Sequence, residues 1–309
     1  MAILDPFSAP FVVVWVTAGV ADRKGTLQVT LPTGAPCVSA CDLRIGTKVE
    51  PRDGVSMTTS KIQLRTSDGP CTTEVVTPNG SGPWPAVIVF FDAGGLRPAQ
   101  TRIAERIADA GYVVLQPDLF HRSPPLSDLL GGPVTLAALV KVFQDPELRG
   151  KFMAGYYLPA LAYENLEKTI GVVLEHIAER SDVRGRVGTT GYCMGGNASV
   201  RTATIFGDRI AATAAFHPGG LVTDQPESPH TRVKAIKSRV YLGPANGDLP
   251  PDAEAKLRAE LDAGHVRYEI EHYDAKHGYA VDDSEAYGRA AAERHYAALA
   301  RLFGETLPA

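Results

Sequence analysis

Residues 86–91 read Ala-Val-Ile-Val-Phe-Phe, six apolar positions with no polar break. Such a run fits a strand covered on both faces, as in a parallel sheet between helices. The period then changes over residues 98–110. Pro98 opens a helix, Ile103 and Ile107 fall four apart on one face, and Gly111 stands just past the end. Residues 112–115 are the next strand. Residues 162–179 are a second long helix, with Leu166, Ile170, Val173, Leu174 and Ile177 on one side. Strands follow at 187–192, 213–216, 239–243 and 267–272, and helices at 251–263 and 285–303, each with a glycine after it. Residues 61–65 and 72–76 read as antiparallel edge strands. The alternation predicts an α/β fold with about eight strands in a mostly parallel central sheet, and about six helices on its two faces. Residues 123–160 carry several Pro and Gly and fit no strand. They are expected to form a helical excursion that shapes a pocket.

Residues 1–56 differ, being rich in Gly, Pro and Thr without a sustained period, and Met57 opens the patterned part. The expectation is an N-terminal extension over 1–56, non-native or poorly ordered, and one domain over 57–309. A chain begun at Met57 is then expected to fold and act as the whole does.

Composition changes this picture little. The 309 residues are 44% hydrophobic and 21% charged, with a formal net charge of -4. That balance gives no reason to expect nucleic acid or a membrane as partner. No run reaches the ~20 apolar residues of a membrane helix, and no basic segment precedes the apolar stretch 10–20. Four cysteines, at 37, 41, 71 and 193, are too few for a disulfide scaffold, so a reduced cytoplasmic setting is expected. Cys37 and Cys41 lack the second Cys/His pair that a structural zinc needs, so no metal is expected.

Candidate chemistry sits directly after strand 187–192. Residues 191–196 read Gly-Tyr-Cys-Met-Gly-Gly, and a helix-like stretch follows. This resembles the strained strand-to-helix turn of an α/β-hydrolase, with cysteine as the nucleophile. Cys193 would stand at a helix N-terminus, where free N–H groups and the helix dipole favour a thiolate. Buried cysteine is also common in cores, so the residues behind Cys193 decide. Asp248 follows strand 239–243 and His277 follows strand 267–272, giving the order nucleophile, acid, histidine. His277 would serve as base and then acid, and Asp248 would orient it. His277 could instead be a surface or capping histidine, and Asp248 a turn aspartate. Asp252 is a rival acid, although a helix-capping role suits it better. The oxyanion donors would be the N–H groups of Met194 and Ala93, the latter in the loop after strand 86–91.

Taken together, Gly191-Tyr-Cys-Met-Gly-Gly196, Pro117-Asp-Leu-Phe120, Asp92-Ala-Gly-Gly95 and His277-Gly-Tyr279 resemble the dienelactone hydrolase family over residues 61–303. The resemblance implies one α/β-hydrolase domain without cofactor. It implies a Cys-His-Asp triad acting on a small-molecule ester or lactone through an acyl-enzyme, in a monomer or weak homodimer. The best-known members open dienelactone to maleylacetate in the breakdown of (chloro)aromatics, the carboxymethylenebutenolidase reaction. Two further roles come with the resemblance. An acidic residue controls the resting thiol, and Asp92 occupies that place, where better-studied members carry glutamate. A pair of arginines clamps the substrate carboxylate. Arg122 matches one; the other position, four past the histidine, is Val281. Losing half of a bidentate clamp argues for a different or less anionic substrate. His121 or His217 could compensate, though a structural role is the simpler reading of each. A general carboxylesterase or thioesterase, and a non-catalytic α/β-hydrolase-like binding protein, are the competing functions.

Overall fold

A computed structural model describes residues 57–307. The expected extension over 1–56, and the Cys37/Cys41 pair within it, lie outside the described residues. Eight strands form one sheet: β1 (Thr58–Thr66), β2 (Gly69–Thr77), β3 (Ala86–Phe90), β4 (Val113–Pro117), β5 (Val187–Tyr192), β6 (Ile210–Phe216), β7 (Arg239–Gly243) and β8 (Tyr268–Ile270). Their order is β1-β2-β4-β3-β5-β6-β7-β8. β1 and β2 pair antiparallel, β2 joins β4 antiparallel, and every pairing from β4 through β8 is parallel.

All five residues of β3 are buried and alternate between two cores. Ala86, Ile88 and Phe90 face one, while Val87 and Val89 face the other. The first core is covered by α6 (Tyr163–Glu179), α7 (Met194–Phe206) and α8 (Pro251–Ala263). The second is covered by α1 (Pro98–Asp109) and α9 (Arg289–Thr306). The apolar stripe of α6 packs as its spacing requires, with Leu166, Ile170, Val173, Leu174 and Ile177 all buried.

Both ends of α9 depart from expectation. α9 begins at Arg289 rather than near 285, because residues 284–288 are tied back into the preceding loop: Tyr287 N–H donates to Ser284 O and Gly288 N–H to Tyr279 O. α9 also runs through Gly304 to Thr306, where buried Leu307 anchors the chain end in the core. The excursion is helical, in short pieces: α2 (Leu126–Leu130), α3 (Leu136–Gln144), α4 (Pro146–Phe152), a π-helical turn at Met153–Tyr157, and α5 (Leu158–Leu161). Thr135 caps α3 by accepting from Ala138 N–H, and Asp145 caps α4 by accepting from Glu147 and Leu148 N–H. No helix among the described residues is long and apolar enough to cross a membrane.

Candidate active site

Parallel strands deliver their C-terminal ends to one edge of the sheet, and the chemistry collects there. Cys193 follows β5 and precedes α7, at φ 56 and ψ -119, a conformation that non-glycine residues rarely hold. The flanking glycines make the turn possible. A Cβ on Gly191 would lie 2.0 Å from the Gly195 carbonyl oxygen, and one on Gly195 would lie 2.3 Å from that of Phe90. The start of α7 therefore packs straight onto the end of β3. Cys193 is half-buried.

His277, in the loop after β8, shares a 2.7 Å hydrogen bond between its Nδ1 and Asp248 Oδ1. Asp248 Oδ2 accepts from Ala245 N–H at 2.9 Å, which fixes the carboxylate. The acid and histidine loops are also laced together, by Asn246 N–H to Ala275 O at 2.9 Å and Asn246 Nδ2 to Asp274 Oδ1 at 2.9 Å. Burial pulls the His277 pKa down, but hydrogen bonds with Asp248 and Cys193, and their charges, outweigh it and push the pKa from 6.5 up to about 10. The raised pKa favours a charged imidazolium beside the Asp248 carboxylate. Asp252 lies exposed in the first turn of α8, and the histidine pairs with Asp248 instead.

The Ala93 and Met194 N–H groups lie on either side of the contact between the β3 end and the α7 start. Neither has a protein acceptor among the described residues.

Asp92 is engaged elsewhere than at Cys193. Its carboxylate takes both arms of the Arg97 guanidinium, at 2.5 and 2.8 Å, plus Gly94 N–H at 2.8 Å and Gln100 Nε2 at 3.2 Å. Arg97 turns its remaining donors to Asp283, through Nε at 2.7 Å and Nη2 at 2.9 Å. Burial disfavours the charged guanidinium, yet the two carboxylates raise its pKa above the usual arginine value. One fork therefore joins the loop that carries Ala93 to the loop that carries His277.

Arg122, the expected clamp residue, is engaged away from Cys193. Its guanidinium binds Asp68 Oδ2 at 2.8 Å, Thr169 Oγ1 at 2.9 Å and the Asn165 carbonyl at 3.3 Å, and it donates to His121 Nε2 at 2.8 Å. It ties the β1–β2 turn to α6 and does not line the cavity that holds Cys193. His121 follows it there, its pKa lowered to about 4 by burial and by Arg122. Val281, at the second clamp position, does line that cavity.

His217 is the other residue of consequence. It directly follows β6, is fully buried, holds φ 37, and accepts the Cys193 N–H at its Nδ1 at 3.1 Å. Its ring lies edge-on to His277, 5.0 Å between centroids. Burial, then the charges of His277 and His295, hold its pKa well below the ordinary value. It is a neutral prop under the strained turn. Its place at the end of the strand beside β5 was the available signal in the sequence; the Arg97 fork had none, since Asp283 lies 186 positions away.

A parallel sheet with a strained cysteine turn, a histidine and an aspartate after successive strands defines an α/β-hydrolase fold. Within that class the chain belongs to the dienelactone hydrolase family, whose profile matches residues 72–307. A protein of Escherichia coli (strain K12), provisionally named a carboxymethylenebutenolidase, is 26% identical over 224 residues, 69% of this chain and 73% of that one. The fold is similar to that of a Klebsiella pneumoniae protein provisionally described as a dienelactone hydrolase, with a TM-score of 0.66 and 18% identity over 81% of this chain and 99% of that one. It is also similar to a dienelactone hydrolase-like promiscuous phosphotriesterase from metagenomic libraries, with a TM-score of 0.62 and 23% identity over 82% and 100%.

Proposed function

We propose that the protein hydrolyses carboxylic ester or lactone bonds through Cys193, His277 and Asp248. The observation that carries this reading is the 2.7 Å His277–Asp248 hydrogen bond, on a histidine that lines the same cavity as Cys193 at its strained turn. The Cys193 thiolate attacks the carbonyl carbon, forming a C–S bond and moving the π pair onto oxygen. The Ala93 and Met194 N–H groups receive that oxyanion. Collapse expels the alkoxide, which takes the His277 proton and leaves as alcohol. A water then gives a proton to His277 as its oxygen adds to the acyl carbon. The C–S bond breaks, the acid departs and the thiolate returns. Asp248 orients the ring and stabilises it when charged.

The family supports the hydrolase class. Asp92 as a control on the thiol would first have to leave Arg97. The carboxymethylenebutenolidase reaction itself is less well supported, because Arg122 is spent on Asp68 and Val281 carries no charge. Hydrolysis of p-nitrophenyl acetate by wild type, Cys193→Ala and His277→Ala tests the reading: both variants are expected to lose turnover, and equal turnover by all three would refute it.

A further inference from the structure

Cys193 and His277 open into a cavity of about 910 Å³, within the size range of small-molecule sites. One wall is α3, which has two apolar faces. Leu139 and Val142 point into the core and are buried. Leu136, Val140 and Phe143, spaced four and three apart, form a stripe at the cavity. Val140 is 47% exposed and Phe143 40%, two of only four large apolar side chains so exposed among the described residues. Exposure of that kind wastes apolar area unless a ligand covers it. Val281 and Pro98 add to the apolar lining.

The charges of the cavity point the same way. Arg97 is saturated by Asp92 and Asp283, and Arg102, half exposed, turns its Nε and Nη2 to Asp282. Lys276 is exposed at the rim. A substrate carboxylate drawn in beside Cys193 would lose water with no unpaired buried cation to replace it, the His277 ring being already held by Asp248, and would meet Asp92 and Asp283 in the lining.

We infer, on the reading that Cys193 is an esterase nucleophile, that the substrate is a neutral ester. Its apolar arm lies along the Leu136–Val140–Phe143 stripe. The cavity therefore selects against the anionic lactones to which a paired-arginine clamp is suited.

The test uses two series on the full chain. In one, p-nitrophenyl esters run from acetate to octanoate; in the other, acetate esters carry alkyl alcohols of the same lengths. Covering a methylene in such a wall is worth about 0.8 kcal/mol, or about fourfold in kcat/KM. A rise of that order per carbon over the first few carbons of either series supports the inference, and the rising series identifies which arm meets α3. The mono-p-nitrophenyl ester of adipic acid, with a carboxylate at the end of the chain, is expected to be at least about tenfold poorer than the hexanoate. Val140→Ser and Phe143→Ser, both at exposed positions and checked for an unchanged melting temperature, should flatten the rise. Flat or falling series in both arms, or a preference for the adipate half-ester, would overturn the inference. Cys193→Ala on the hexanoate separates the two readings. If it is inactive and the series are flat, the substrate inference fails alone; if it turns over, the nucleophile assignment fails.

Discussion

Replacing Arg97 with methionine removes one guanidinium from two carboxylates at once. The Arg97 and Asp92 side chains are only 5% and 7% exposed, whereas Asp283 is 33% exposed and can rehydrate. Asp92 would keep Gly94 N–H and Gln100 Nε2 but lose both of its short charged contacts. Breaking a buried pair from one side costs about 3–5 kcal/mol, because the remaining charge is left uncompensated. Rehydration of Asp283 places this case near the lower end, about 3 kcal/mol. Arg97→Lys keeps the charge without the fork, so its loss should fall between wild type and Arg97→Met. Adding Asp92→Asn to Arg97→Met should restore part of the loss, since the stranded charge is then gone. Urea unfolding reads these differences. Activity gives a second signature, because the fork holds the Ala93 loop against the His277 loop. Displacing an oxyanion donor by a fraction of its contact distance lowers kcat by about 10- to 100-fold, with KM less affected. An Arg97→Met protein within about 1 kcal/mol of wild type and with undiminished kcat would mean that the fork holds neither loop.

Cys193→Gly should abolish turnover while relieving the turn. Strain at such a backbone costs about 1–3 kcal/mol, and glycine returns about 0.5–1 kcal/mol of that as unfolded-state freedom. A net gain near 1 kcal/mol is expected by thermal unfolding, and a less stable glycine variant would contradict the strain. Arg122→Ala should cost about 1.5–3 kcal/mol for its charge-assisted hydrogen bonds and leave ester kcat/KM unchanged; a selective loss on carboxylate-bearing substrates would restore Arg122 to the site. The His277 pKa is raised on folding, from 6.5 to about 10, so its contribution to stability is full below about pH 6.5 and lost as pH rises through about 10. The stability difference between wild type and Asp248→Asn should shrink over that window, and a difference that grew with pH would reverse the sign of the coupling.

What could be read in the chain follows from the range of the interactions. β3 and α6 were legible because burial on both faces, or on one stripe, writes itself into neighbouring residues. Cys193 was legible because a strained turn demands Gly191 and Gly195 nearby. Asp248 and His277 were legible because strand ends precede them. The direction of Arg122 was not legible, because it is set by Asp68, 54 positions back, and Thr169, 47 positions on. The role of Asp92 was hidden for the same reason, its partner Arg97 being itself held by a distant aspartate. The pieces of the excursion are too short for a period to show, and only α3 carries a stripe long enough to read once its surroundings are known.

On the proposed mechanism Cys193 carries the acyl group during turnover. The most direct measurement is the intact mass of the full chain, quenched in acid during turnover of p-nitrophenyl acetate and followed by peptide mapping. One added acetyl group is expected on Cys193, absent from Cys193→Ala and accumulating in His277→Ala only if acylation survives loss of the base. Turnover with no adduct, or an acetyl group mapped to another residue, would contradict it.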